Sequence, residues 1–196
     1  MTENEKSESG REEETFAMSA PGSVVVTGAS GFIGKRLCSA LAQRGYRLRA
    51  LTHSDKDDEF FKSLGAEVYI GDIRDEELTD RLMSGAAGVF HLAGIVGRVG
   101  VLDKEYWDVH VTGTKRLLKS ATKQGVARFV QCSTAGVLGD IKNPPADENT
   151  AYATDDVYQI TKSHGEKAAM ASNGKKGMRV TVVRPTVVYG PEDMRG

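Results

Sequence analysis

The segment Thr27-Gly28-Ala29-Ser30-Gly31-Phe32-Ile33-Gly34 sets the architecture. It follows the apolar run Val24-Val25-Val26 and opens a stretch in which Ile33, Leu37, Ala40 and Leu41 recur at helical spacing. A strand, a glycine-rich turn and a helix, in that order, form the first half of a βαβ unit that binds a dinucleotide. Gly28 can take the tight turn, Gly31 lets the backbone approach a pyrophosphate with no Cβ between them, and Gly34 lets the helix pack closely. The helix N-terminus adds N–H groups and a partial positive charge for the phosphates. The spacing is GxxGxxG rather than GxGxxG, so the strand–turn–helix context carries the reading.

The same alternation continues along the chain. Strands are expected over residues 47–52, 67–70, 88–93, 128–133 and 179–183, and helices over 57–64, 75–83, 106–124 and 157–171. With the first strand this makes six, the size of a complete dinucleotide-binding sheet. Strands alternating with helices predict an α/β fold: a doubly wound parallel sheet covered on both faces, a Rossmann fold.

The residue that reads the cofactor ribose is expected at the end of the second strand, about 20 residues beyond the glycines. No acid stands there. Thr52 and His53 are followed by Ser54 and Lys56, with Asp55, Asp57 and Asp58 close by. An acid would accept a bond from a free 2′-OH and repel a 2′-phosphate. NADP is therefore favoured over NAD, with His53 either a cofactor residue or a loop histidine.

Further on, Tyr158-Gln159-Ile160-Thr161-Lys162 places a phenol and an ammonium at i and i+4, on one helix face. A cation beside a phenol favours phenolate, so such a tyrosine can pass a proton to or from a substrate oxygen. The lysine can also hold the cofactor ribose. Upstream, the strand Phe129-Val130-Gln131-Cys132 runs into Ser133 and Thr134. A hydroxyl at a strand's carboxyl end faces the cofactor crevice, and either residue could bond the same substrate oxygen.

Composition narrows the rest. The chain has 196 residues, 39% apolar and 27% charged, and a net charge of −1. Residues 1–22 carry six acids and two bases, a net of −4, which leaves +3 on residues 23–196. The first 22 residues show no apolar period and are expected to form a disordered acidic tail before one dinucleotide-binding domain. A balanced core without aromatic–basic interleaving argues against nucleic acid. No basic start followed by an apolar run marks a secretory signal, and no run approaches the roughly 18 apolar residues of a membrane span. A cytoplasmic protein is expected. The two cysteines, Cys38 and Cys132, make no CxxC pair; both are expected as buried apolar filler, and no metal site is expected.

Together, TGASGFIG, GDIRD at Gly71–Asp75, HLAG at His91–Gly94, the STAGVLG segment, YQITK and RPTVVYGP resemble the extended short-chain dehydrogenase/reductases, the group of NAD(P)-dependent sugar epimerase/dehydratases, dihydroflavonol reductases and 3β-hydroxysteroid dehydrogenases. The six motifs occur in that family's order over about residues 22–193. The resemblance implies that Thr134 is the catalytic hydroxyl with Ser133 its neighbour, that Tyr158 is the acid/base and that Lys162 is its partner. It implies a cofactor site made of Gly28, Ser30, Gly31, Phe32, Ile33, Gly34, His53, Asp72, Ile73, Leu92, Ala93, Gly94, Tyr158, Lys162, Pro185, Thr186 and Val188. Asp72 and Ile73 would touch the adenine end, and Thr186 and Val188 would lie near the nicotinamide. Where the family pattern reads N-V-x-G-T, this chain has His110-Val111-Thr112-Gly113-Thr114. The carboxyl-terminal portion that forms most of the family's substrate pocket is expected to be missing from these residues.

The leading expectation is an NADP- or NAD-dependent oxidoreductase of the 3β-hydroxysteroid dehydrogenase/dihydroflavonol reductase type. Its substrate would be a small molecule: a sterol, a flavonoid-like compound or a nucleotide sugar. A nucleotide-sugar epimerase or dehydratase is the alternative, and a non-catalytic NAD(P)-binding module a further one. A turnover assay on ketones and nucleotide sugars separates them. A homodimer is the candidate assembly.

Overall fold

The computed structural model describes residues 23–96, 100–142 and 144–191. The acidic segment 1–22 lies outside the described residues. Six strands, β1 (Ser23–Thr27), β2 (Leu48–Thr52), β3 (Glu67–Ile70), β4 (Ala86–His91), β5 (Arg128–Cys132) and β6 (Arg179–Val183), form one parallel sheet in the order β3-β2-β1-β4-β5-β6. The order reverses between β1 and β4, and in such sheets the ligand crevice opens at that point, beyond the strands' carboxyl ends.

Side-chain alternation explains the layers. Val24 and Val26 face one side and Val25 the other, and all three are at most 1% exposed. On the first side they meet Cys38 and Leu41 of α1 (Phe32–Gln43) and Phe61 of α2 (Asp58–Ser63). On the second, Val25, Leu51, Val89 and Phe129 meet Leu82 of α3 (Glu76–Met83), Leu117 and Ala121 of α5 (Thr114–Gln124), and Ala169 of α6 (Val157–Met170). Burying each such side chain contributes roughly 1.5–3 kcal/mol, so both faces of the sheet need a cover. Local signals fix the ends. The Asp75 carboxylate accepts from the N–H groups of Glu77 and Leu78 at 2.9 and 3.1 Å, and Asp156 accepts from Gln159 at 2.7 Å. Gly125 closes α5 at a φ of 73°.

Four expectations change. The fully buried face of α1 is Gly34, Cys38 and Leu41, with Ile33 and Ala40 only half-buried. Cys132 is half-buried rather than core filler. β4 ends at His91 rather than Ala93, because Thr27 captures the next two N–H groups: its carbonyl accepts from Leu92 at 3.1 Å and its hydroxyl from Ala93 at 3.3 Å. The helix expected over 106–124 is α4 (Asp103–Trp107), a π-helical turn over Asp108–Gly113, and then α5.

Candidate active site

The glycine loop is tied to β4 by close backbone contacts. Gly28 has a φ of 66°, and a Cβ there would lie 2.7 Å from the amide nitrogen of Ala93 and 2.8 Å from the carbonyl carbon of Leu92. Gly34 packs on the loop itself rather than on the sheet, with its Cβ position 2.2 Å from the Gly28 carbonyl oxygen and 2.6 Å from that of Ala29. At Gly31 only the Gly28 oxygen comes near, at 3.2 Å, so this residue borders open space. Ser30, Phe32 and Ile33 continue this rim into α1, and Arg36 stacks on the Phe32 ring at 5.0 Å.

At the end of β2, Thr52 is buried and its hydroxyl donates to the Ser54 carbonyl at 2.9 Å. Beyond it His53, Ser54, Asp55 and Lys56 are exposed. The nearby Asp57 carboxylate is held by Lys35 at 2.6 Å. After β3, Asp72 accepts two bonds from the Arg74 guanidinium, at 2.9 and 2.7 Å, and these, chiefly, hold its carboxyl below the usual range. Ile73 turns its side chain into the core against Gly113, so only its backbone is left for a cofactor.

The candidate catalytic side chains lie near the ends of β4 and β5 and the start of α6. Lys162 is buried and its ammonium donates to the Cys132 carbonyl at 2.6 Å. It lies 4.0 Å from where a Cβ on Gly94 would stand. Burial pushes its pKa down, against the opposing pull of Cys132 and Glu166. Thr134 caps the 3₁₀ turn Ala135–Leu138; its oxygen accepts from the Gly136 N–H at 3.2 Å, which leaves its own proton to donate. Tyr158 sits in the first turn of α6, its ring centroid 5.7 Å from that of His110. Pro185 joins this group because its carbonyl accepts from the Ala135 N–H at 2.9 Å. Leu92 and Ala93 each pack against a core cluster on opposite faces of the sheet, while Thr186 and Val188 lie exposed on the strap after β6.

Ser133 and Thr134 part company. Ser133 is buried, with its hydroxyl outside good hydrogen-bond geometry to any partner, yet near enough to Glu166 to help stabilise that carboxylate. Glu166 is the centre of a cluster that spacing alone does not reveal. The Arg184 guanidinium donates to it at 2.5 and 3.0 Å and the Tyr152 hydroxyl at 2.7 Å. Burial raises its pKa, and Arg184, Ser133 and Tyr152 outweigh that and hold it low. Glu166 falls four residues after Lys162 on the same helix, and that spacing was the signal available.

Two buried imidazoles support the floor. His91 bonds the Thr27 hydroxyl at 2.7 Å and the Thr114 hydroxyl at 2.9 Å. His110 accepts from the Ile95 N–H at 2.9 Å and bonds the Thr161 hydroxyl at 2.9 Å. Burial, with the nearby Lys162 charge, pushes the pKa of each down to about 3.

Residues 24–196 match the model of the NAD dependent epimerase/dehydratase family. The chain is 34% identical over 183 residues to a 3-beta-hydroxysteroid dehydrogenase of Mycolicibacterium neoaurum, covering 88% of this chain and 49% of that protein. It is 32% identical over 171 residues to a 4-hydroxy-2-methyl-3-oxo-4-farnesyl-3,4-dihydroquinoline-1-oxide ketoreductase of Stigmatella aurantiaca, covering 86% and 51%. Among solved structures, UDP-glucuronic acid 4-epimerase from Bacillus cereus in complex with NAD superposes with a TM-score of 0.77 at 26% identity, over 87% of this chain and 58% of that one. The chain thus spans about half the length of the curated relatives it matches. With the sheet order, the glycine loop and these matches in agreement, the chain belongs to the NAD dependent epimerase/dehydratase family.

Proposed function

We propose that this chain forms the cofactor-binding half of an oxidoreductase that moves hydride between a nicotinamide and an alcohol or ketone carbon, in the manner of 3β-hydroxysteroid dehydrogenases and dihydroflavonol reductases. The observation that carries this is the buried Lys162 ammonium at the end of β5, beside Gly94, one helical turn from Tyr158 and bonded to the carbonyl of Cys132, two residues before Thr134. When bound, the dinucleotide supplies the hydride carrier. The chain's own part is to orient and to move protons. Thr134 donates its hydroxyl proton to the substrate oxygen, Tyr158 gives or takes the reacting proton, and Lys162 holds the ribose and steadies negative charge on the phenol. The glycine loop and the first turn of α1 receive the pyrophosphate.

The apolar branch is favoured over a nucleotide sugar by the loops that leave the sheet's carboxyl edge. Val96 (49% exposed), Leu102 (70%), Ile141 (39%) and Val187 (84%) all stand open there. Such a rim suits a lipid or sterol better than a diphosphate sugar. The Bacillus cereus epimerase keeps the nucleotide-sugar reading as the second one. NADP is the favoured cofactor, because no acid occupies the end of β2, the basic His53 and Lys56 stand exposed just beyond it, and the nearby Asp57 is paired with Lys35.

Titration with NADPH and NADH tests the cofactor reading. Gly31→Val is expected to abolish binding of both by placing a side chain in the pyrophosphate's space, and His53→Asp to move the preference toward NADH. Equal binding by the Gly31 variant and the parent overturns the site. A turnover panel of hydroxysteroids, ketones and UDP-sugars decides between the two readings, with UDP-sugar turnover alone favouring the second.

A further inference from the structure

We propose that His110 is a positioning residue of this site: a neutral imidazole, protonated on Nδ1 only, that ties the Gly94–Ile95 turn of the cofactor cleft to the helix carrying Tyr158 and Lys162. This rests on the reading of Tyr158 and Lys162 as the reacting pair.

The hydrogen-bond polarity decides the tautomer. The backbone N–H of Ile95 can only donate, so His110 Nε2, 2.9 Å away, carries no proton. The remaining ring proton is on Nδ1 and goes to the Thr161 hydroxyl oxygen at 2.9 Å. Thr161 accepts it, because its own proton is committed to the Val157 carbonyl at 2.7 Å. Every donor and acceptor along this path is satisfied, and a second ring proton would set N–H against N–H at Ile95. The charged and titratable groups facing the ring agree. Lys162 opposes an imidazolium, the rings of Tyr106 of α4 and Tyr158 of α6 meet it in T-shaped contacts with centroids at 5.6 and 5.7 Å, and His91 lies beyond on β4.

The placement makes this a crosslink across the site. Nε2 lies 3.2 Å from where a Cβ on Gly94 would stand, and Lys162 Nζ borders the same point at 4.0 Å. One side of the ring therefore fixes the turn against which a nicotinamide ribose would rest, and the other fixes α6 one turn into the helix. The π-helical turn Asp108–Gly113 is what brings the imidazole to both partners at once. An asparagine carries the same polarity, with a carbonyl to accept from Ile95 and an amide to donate to Thr161. A phenylalanine keeps the ring contacts and loses both bonds.

Two measurements test this on the whole chain. The first is long-range nitrogen–proton NMR of the ¹⁵N-labelled protein, with His110 assigned by its absence from His110→Asn. Expected are a bare Nε2 and a protonated Nδ1, unchanged from about pH 8 down to about pH 5. A protonated Nε2, or titration of His110 in that range, overturns the proposal. The second is titration of the parent, His110→Asn and His110→Phe with NADPH and NADH, with melting temperatures recorded for each. Expected is that Asn keeps the affinity within about threefold while Phe weakens it by about tenfold or more, since Phe leaves the Ile95 N–H unpaired beside the cleft and removes the donor to the Thr161 oxygen. A ring that merely fills space predicts the opposite order, and Phe binding as tightly as the parent overturns the proposal. If the parent binds neither dinucleotide, the proposed function fails, and the NMR result alone decides the state of His110.

Discussion

Two adjacent hydroxyls at the end of β5 face different neighbours, and the difference separates their proposed roles. Ser133 is 3% exposed and turned toward Glu166, behind the helix. Thr134 is half-buried on the crevice side, with its oxygen already accepting from Gly136 and its proton still to give. In an active preparation, Thr134→Ala is therefore expected to cut the turnover rate, by roughly 10²-fold or more given what positioned proton donors contribute. Ser133→Ala is expected to leave the rate within a few-fold and to lower stability by about 1 kcal/mol, the scale of a weakened interaction with a buried carboxylate. Tyr158→Phe belongs with Thr134: cofactor affinity nearly intact and the rate down by roughly 10²–10⁴-fold. Parallel measurement of turnover and urea denaturation on the three variants checks this, and a larger rate loss in Ser133→Ala than in Thr134→Ala would move the donor to Ser133.

Among elements, the junction of α6 with the π-helical turn sets the site's geometry, and there the sequence was least legible. β3 and β6 fall at the expected residues, because short runs rich in β-branched and aromatic residues bounded by turns identify strands. The glycine loop was legible because it directly follows a strand, and the proposed Tyr158–Lys162 pair because it lies at i and i+4 on one helix; the residues alone left Ser133 and Thr134 open, and only the family resemblance chose between them. The π turn was not legible, because residues 106–124 contain no proline and read as one helix, and a single inserted residue leaves no compositional mark. Nor was the Glu166–Arg184–Tyr152 cluster, whose members are 14 to 32 residues apart and meet only through the fold. At the junction the two backbones touch: a Cβ on Gly165 would lie 2.5 Å from the His110 carbonyl oxygen. Gly165→Ala must push α6 away from the turn, since a backbone carbonyl cannot swing aside as a side chain can. Its expected cost is about 1–3 kcal/mol in urea denaturation, despite alanine's better helix propensity. The shift also displaces Lys162, three residues earlier, so dinucleotide affinity should fall with it. A more stable Gly165→Ala would show that the helices have slack at this contact.

Across the whole molecule, the two buried imidazoles make folding stability depend on acidity in a window set by their own pKa values. His91 and His110 are held neutral in the folded chain, each with a pKa of about 3, against an ordinary value of 6.5. A base whose folded pKa is depressed binds its proton only when the chain unfolds, so the unfolded state takes up more protons between these values. The stabilisation is fully present above about pH 6.5 and is lost as pH falls toward 3. At about pH 5 each unfolded histidine has gained about 2 kcal/mol from protonation, so the pair costs the fold about 4 kcal/mol, a large share of a typical domain's 5–15 kcal/mol. This needs only that both folded values stay well below 5. The carboxylates held low by basic partners, such as Asp72 beside Arg74 and Glu166 beside Arg184, add their own loss only in more acidic solution, below the ordinary carboxylate range. Urea denaturation at about pH 7 and about pH 5 should therefore show a lower midpoint at about pH 5. His110→Asn, which keeps the crosslink without a titrating group, should remove about half of that fall. Equal stability of the parent at the two pH values would mean that the imidazoles are not sealed from protons in the folded chain, and the neutral Thr27–His91–Thr114 and Ile95–His110–Thr161 bonds would then have to be given up together.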